Sequence, residues 1–278
     1  MNRITSLYKD KIDMEVGFEF HDIKNYQIII KKLEKYRFSL YDNESFDEED
    51  IKNFKIFNVC ESYERNYKDN KDINILLHNK LIAMEFKTVE SLCGIKIPDS
   101  ILFLELPDWF NEKIEIYPSK LIYLKTGRCF DQPVDNLPAS LKILQLGSHF
   151  NESVSKLPEG LEYLGIPIGN FKCDLDGLPN NLKILDFGKE EEEYNIKIKL
   201  NKLPKNLEVL RLPGNYNKIL QELPVNLKKL YLGYNYNEKI TQENIPKNLE
   251  ELFLGQNYDK KKISKEILSQ GVKIIDYY

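Results

Sequence analysis

A phrase of about twenty residues recurs along most of the chain, and that period restricts the folds open to it. It runs Leu or Ile, Pro, two variable residues, Leu, two more variable residues, then Leu-x-Leu. The fullest copy is Leu137-Pro138-Ala139-Ser140-Leu141-Lys142-Ile143-Leu144-Gln145-Leu146-Gly147. Others begin at Leu203-Pro204, Leu223-Pro224 and Ile245-Pro246, and weaker ones at Ile97-Pro98, Tyr117-Pro118, Leu157-Pro158 and Leu178-Pro179. Successive starts lie 20, 20, 20, 21, 25, 20 and 22 residues apart, the 25 reflecting an acidic insertion around Glu190-Glu191-Glu192-Glu193. Leu77, Leu81, Met84 and Phe86 make a degenerate copy 20 residues ahead of Ile97, Ile101, Leu104 and Leu106, and residues 267–276 read as a closing half-copy.

The spacing Leu-x-x-Leu-x-Leu ends in period-two alternation, the mark of a short strand with one buried face. Twenty residues cannot hold a hairpin and a helix as well, so each copy is one strand and an extended return. Stacked copies pair their strands in parallel roughly 4.8 Å apart. One copy alone cannot bury its leucines, whereas a stack shares a continuous core. The pattern predicts a leucine-rich-repeat solenoid of short period, a parallel β-sheet with extended convex returns in about nine or ten coils. It divides the chain into an N-terminal module, 1–76, and the repeat array, 77–278, which ends in a capping half-repeat.

The rest of each copy fits a coil. Gly127, Gly147, Gly188, Gly233 and Gly255 follow the strand, where a sharp turn favours positive φ. An aromatic and an Asn or Asp come next: Phe110-Asn111, Phe130-Asp131, Phe150-Asn151, Tyr194-Asn195, Tyr216-Asn217, Tyr236-Asn237 and Tyr258-Asp259. The copy from Leu157 departs here with Asn170-Phe171-Lys172. The aromatics are expected to stack as an internal spine. The Asn and Asp side chains are expected to bond backbone that the return leaves unpaired. Pro at the start of each copy fixes φ and needs no N–H partner.

This motif set resembles the FNIP-repeat family, a branch of the leucine-rich repeats. Phe130-Asp131-Gln132-Pro133-Val134-Asp135-Asn136-Leu137-Pro138 carries the likeness most clearly, with the stretch from Phe150-Asn151-Glu152 to Leu157-Pro158. The likeness covers residues 77–278, about seventy percent of the chain. It implies protein–protein interaction, a source among social amoebae or amoeba-infecting giant viruses, and often an F-box at the N-terminus.

The first seventy-six residues carry no repeat. Ile12, Met14, Val16, Phe18 and Phe20 alternate with polar residues as in a half-buried strand. Asp22 can cap a helix over 23–35, and Tyr36, Phe38 and Leu40 suggest a second strand. An acidic loop, 42–50, and a helix over 51–66 complete the reading of a small α+β cap module on the first repeat. An F-box would be largely helical and opens near Leu-Pro. No proline precedes Pro98, so that element is not legible here.

Composition narrows the function. The net charge is −4, from 40 basic and 44 acidic residues, and this argues against nucleic acid as partner. No apolar run approaches the roughly 20 residues that span a bilayer, so no membrane association is expected. The start of the chain lacks the apolar segment of a signal peptide. Cys60, Cys93, Cys129 and Cys173 lie 33, 36 and 44 residues apart and form no CxxC pair. Neither a disulfide framework nor a metal site is signalled, and the thiols fit an intracellular protein of the cytoplasm, the host's if viral. His21, His78 and His149 stand far apart, and no phosphate loop or nucleophile motif occurs. Cys129 and His149 share a turn slot held elsewhere by Asn215, Asn235 and Asn257, which favours a structural role. No catalytic residue and no cofactor are expected.

The binding surface is read from the strands. The residue before the second Leu points away from the core onto the concave face. That column holds Phe103, Tyr123, Ile143, Tyr163, Ile184 and Val209, then Lys229 and Glu251. The column after the second Leu reads Glu105, Lys125, Gln145, Gly165, Asp186, Arg211, Tyr231 and Phe253. Together, Phe103, Tyr123, Ile143, Tyr163, Ile184, Val209, Arg211, Tyr231 and Phe253 form an apolar stripe with a charged fringe. Two readings follow. In one, neighbours merely stack within the sheet; in the other, the stripe is a protein-binding core. The expected function is a non-enzymatic scaffold that binds a partner protein through this face. The alternative is an adaptor whose N-terminal module recruits a ubiquitin-ligase-type complex while the repeats hold the target.

Overall fold

A computed structural model describes residues 37–40, 56–59, 83–86, 95–167, 171, 174–188, 200 and 202–276. The strand expected over 12–20, the helix over 23–35, the loop over 42–50, Cys60, Cys93, Cys173, His21, His78, the 190–193 insertion and Tyr194 lie outside these residues. The strands are β1 (Arg37–Leu40), β2 (Ile56–Val59), β3 (Ala83–Phe86), β4 (Phe103–Glu105), β5 (Tyr123–Lys125), β6 (Ile143–Gln145), β7 (Tyr163–Gly165), β8 (Ile184–Asp186), β9 (Val209–Arg211), β10 (Lys229–Tyr231), β11 (Glu251–Leu254) and β12 (Lys273–Asp276). They form one 12-stranded sheet in sequence order, and the pairs from β2 to β12 are parallel. Residues 38–278 make one compact unit. The fold is the repeat solenoid that the period predicts.

Register follows the repeat phase. Phe57, Met84, Leu104, Leu124, Leu144, Leu164, Leu185, Leu210, Leu230, Leu252 and Ile274 lie side by side across successive strands. The degenerate copy at Met84 and the closing half-copy at Ile274 therefore belong to the same sheet. One expectation fails: the helix predicted over 51–66 holds the strand β2 instead. Ile56-Phe57-Asn58-Val59 is β-branched and aromatic, and its pairing with Ala83–Phe86 outweighs local helical spacing. The parallel sheet thus begins ahead of residue 77. Among the described residues, the one α-helix is a short turn, Lys265–Ser269, which buries Ile267 before β12.

The leucines of the strands are sealed between coils, with Leu104, Leu124, Leu144, Leu164 and Leu185 all at 0% exposure. Behind them runs the expected aromatic spine. Phe110 stacks on Phe130 at 6.2 Å, Phe150 on Phe171 at 6.3 Å, Tyr216 on Tyr236 at 6.4 Å and Tyr236 on Tyr258 at 6.0 Å. Phe171 fills the slot in the copy whose motif departs. Thr126, in a leucine position, is 3% exposed, and its hydroxyl accepts a hydrogen bond from the Gly147 amide at 2.9 Å. That bond satisfies the hydroxyl in a site otherwise built for an alkyl group.

Backbone polarity on the return is met from one coil to the next. The Asn111 carboxamide oxygen accepts from the Asp131 amide at 2.8 Å, and the Asp131 carboxylate from the Asn151 amide at 2.8 Å. Asn217 serves Asn237, and Asn237 serves Asp259, in the same way. A second ladder was not anticipated: Asn181, Asn206, Asn226 and Asn248 donate to carbonyls of Glu159, Asn180, Lys205 and Val225. Each repeat proline also closes a tight turn. Its carbonyl accepts from the amide three residues on, as Pro138 does from Leu141 at 3.0 Å.

The turn glycines are required for a different reason from the one expected. Positive φ occurs at Gly188 (77°), but Gly127, Gly147, Gly233 and Gly255 are not among the positive-φ glycines. A Cβ on Gly147 would instead lie 1.9 Å from the carbonyl oxygen of Gly127, and one on Gly127 1.7 Å from that of Pro107. Consecutive coils touch backbone to backbone at Gly127, Gly147, Gly233 and Gly255, and a Cβ at any of these four would wedge them apart.

Two stability outcomes follow from this packing. Leu146, 1% exposed, is shared between coils, so Leu146→Ala is expected to cost about 2–5 kcal/mol in denaturant unfolding. An unchanged unfolding curve would mean that the repeat phase is misplaced. Gly147→Ala, which removes no contact, is expected to lose about 1–3 kcal/mol by overpacking alone; equal stability of that variant would refute the close-approach account.

Candidate protein-binding face

The side of the sheet that points away from the leucine core carries the two predicted columns. Register places Phe103, Tyr123, Ile143, Tyr163, Ile184, Val209, Lys229 and Glu251 side by side on consecutive strands, continued by Lys273. Two residues further along lie Glu105, Lys125, Gln145, Gly165, Asp186, Arg211, Tyr231, Phe253 and Ile275. All nine predicted residues therefore sit on one face of one sheet.

Their exposure is uneven. The six apolar residues from Phe103 to Val209 are only 2–6% exposed, although they stand outside the leucine core. Parallel strands are so closely spaced that large side chains cover one another sideways. Phe103 and Tyr123 lie 6.3 Å apart, and charged residues flank the row. Lys125 pairs with Glu105 at 3.5 Å, and the Tyr123 hydroxyl donates to Glu105 at 3.2 Å. In the column before the row, Glu162 is shared by Lys142 at 3.4 Å and Lys183 at 2.9 Å, and Glu208 pairs with Lys228 at 2.7 Å. This part of the face is an apolar row flanked by ion pairs across the strands.

Beyond β8 the face changes. Arg211, Tyr231 and Phe253 are half-buried. The Arg211 guanidinium forms an ion pair with Asp186 at 2.5 Å and lies over the Tyr231 ring, 4.8 Å from its centroid. Tyr231 stacks on Phe253 at 3.9 Å and 7°. Beside them Lys229 and Lys273 share Glu251 at 2.9 and 3.7 Å. Sequence reasoning placed Arg211, Tyr231 and Phe253 but left Asp186 out. The opposite charges at one column position in successive copies, Asp186 and Arg211, were the available signal. Asp186 is among the few buried polar residues described, at 9% exposure, and it also accepts from the Tyr163 hydroxyl at 3.3 Å and the Gly188 amide at 2.8 Å.

The turn slot holding Cys129 and His149 does structural work through its backbone. The Cys129 amide donates to Asp108 and the His149 amide to Arg128, each one coil back, as the Asn235 amide does to Gly214. Among the described residues no group of three or more His, Cys, Asp or Glu could hold a metal ion, and no helix is long and apolar enough to cross a membrane.

Burial, and secondarily the charge of Asp186, raises the Tyr163 pKa well above its ordinary value; burial alone raises that of Tyr117. In the unfolded chain both ionise near pH 10. Raised folded-state values mean that their contribution is intact below about pH 10 and is lost as pH climbs beyond it, because the unfolded state then holds fewer protons. The denaturant midpoint is expected to be flat in this respect from pH 7 to about 9 and to fall above about 10. A midpoint unchanged at about pH 11 would mean that these rings ionise in place.

Comparison with known proteins agrees with the repeat. Residues 216–257 match the family model of the FNIP Repeat. No curated protein matches the chain. Among solved structures it is similar to CroV588, a circular LRR protein from a giant virus, at 24% identity and a TM-score of 0.45, covering 74% of this chain and 41% of that one. It is also similar to an internalin from Listeria monocytogenes (16% identity, TM-score 0.47, 89% of this chain and 88% of that one). YopM from Yersinia enterocolitica resembles it at 18% identity and a TM-score of 0.42, over 80% of this chain and 49% of that one. The chain thus spans about two-fifths of CroV588 and half of YopM. The chain is a parallel β-sheet solenoid of short leucine-based coils, of which residues 216–257 match the family model of the FNIP Repeat.

Proposed function

We propose that the chain is a non-enzymatic recognition scaffold whose outward sheet face binds a partner protein. The observation that carries this reading is the Arg211–Tyr231–Phe253 stack. It presents the residue types that dominate interface energies, half-buried and held in place beside a row that is otherwise closed. Phe103, Tyr123, Ile143, Tyr163, Ile184 and Val209 act as the floor of the face, and the three half-buried residues beyond β8 as its contact centre. The charges are paired with one another across the strands, which suits a partner that approaches with apolar and aromatic groups rather than with a strong field. In this reading residues 1–76 form a cap in which β1 and β2 extend the sheet beyond Met84, itself 1% exposed. The protein works inside the cell, in the cytoplasm.

The test compares the full chain with a Tyr231→Ala, Phe253→Ala double variant. A partner retained by the parent is expected to bind the variant more weakly by at least about 2 kcal/mol in calorimetry, with the fold intact by circular dichroism. Equal affinity for a folded double variant would move the binding surface to the returns or to residues 1–76.

A further inference from the structure

Among the described residues Gly165 is the only glycine in its column; its counterparts are Glu85, Glu105, Lys125, Gln145, Asp186, Arg211, Tyr231, Phe253 and Ile275. It is not needed for backbone conformation, since it is not among the positive-φ glycines. It is needed for space. A Cβ there would lie 3.1 Å from the hydroxyl oxygen of Tyr163 and 3.2 Å from its ring Cε1. The Tyr163 ring lies across the place where a side chain of residue 165 would stand.

The two tyrosines of the apolar row show what this space decides. On β5, Tyr123 is followed two residues later by Lys125, and its hydroxyl turns to Glu105 on the preceding strand. On β7, Tyr163 is followed by Gly165, and its hydroxyl crosses to Asp186 on the next strand. Asp186 in turn holds Arg211, Arg211 covers Tyr231, and Tyr231 stacks on Phe253. The contacts run unbroken over five strands, from β7 to β11.

We propose that Gly165 and Tyr163 are positioning residues for the binding face: the missing side chain at 165 lets Tyr163 lean across β7 onto Asp186, and this fixes Arg211 over Tyr231 in the orientation that a partner meets. The purpose of the device rests on the binding function proposed above, but its mechanism is a property of the free chain.

Gly165→Lys in the full chain is the test, because it recreates on β7 the Tyr–x–Lys arrangement that β5 already accommodates. The readout is the nuclear magnetic resonance signal of the Arg211 Nε–H and of the Tyr231 ring, without any partner. The expected result is a shift of the Arg211 signal toward that of a solvent-exposed arginine and a loss of the ring-current shift on Tyr231, while amide signals outside β6–β9 stay in place. An Arg211 signal unmoved in folded Gly165→Lys protein overturns the proposal. Should that variant fail to fold, Tyr163→Phe decides by the same criterion, since it keeps the ring and removes only the bond to Asp186: displacement of Arg211 supports the device, and an unmoved Arg211 overturns it. Failure here leaves the binding function standing, whereas an intact device together with unweakened binding by the Tyr231, Phe253 variant overturns that function alone.

Discussion

A coil of about twenty residues has no inside of its own, and the structure depends on neighbours supplying one. Leu104, Leu124, Leu144 and Leu164 reach complete burial only because each is covered by the coils before and after it. The same dependence holds for the backbone. A return without helix or strand leaves amides and carbonyls unpaired, and Asn111, Asp131, Asn217 and Asn237 satisfy them one coil away. Tight stacking then bars a Cβ where Gly127, Gly147, Gly233 and Gly255 stand. Leucine, aromatic, amide and glycine are four consequences of one constraint. Stability is accordingly local in origin and passes from coil to coil.

The outward face obeys the same geometry with a different result. Parallel strands place equivalent residues within van der Waals reach, so a row of large apolar side chains largely covers itself. Ion pairs across the strands flank it. The charges on this face are mostly matched, each beside an opposite one on a neighbouring strand, so they project little net field. Where the row gives way to Lys229 and Glu251, aromatic residues pass to the other column, and Arg211, Tyr231 and Phe253 become the accessible part. The ion pair of Asp186 with Arg211 links the closed part to the open one. A half-buried guanidinium that is paired and stacked is held in one orientation, which lowers the ordering cost of a contact made through it.

Much of the fold was legible from residue spacing. The phase of Leu-x-x-Leu-x-Leu gave the register of β4 to β11, the degenerate copy at Met84 gave β3, and Ile274 gave β12. The aromatic spine was legible too, including Phe171 in the copy that departs from the motif. The strand β2 was not, because Ile56-Phe57-Asn58-Val59 lies outside the repeat phase and owes its conformation to pairing with β3. The reason for the turn glycines was misread, because the obstructing carbonyl belongs to a residue twenty positions earlier. On the outward face, composition identified the columns and their apolar and aromatic members. It did not reveal that the six residues from Phe103 to Val209 are closed, nor that Asp186 is the hub of the remainder.

The sequence by itself determined the period, the parallel order of the strands and the direction in which each strand residue points, because these follow from alternation within a single copy. The tertiary structure alone decided which outward residues are covered and which way each tyrosine turns. Those outcomes depend on contacts between equivalent positions of successive copies, where a lysine at 125 and a glycine at 165 send two like side chains to opposite neighbours.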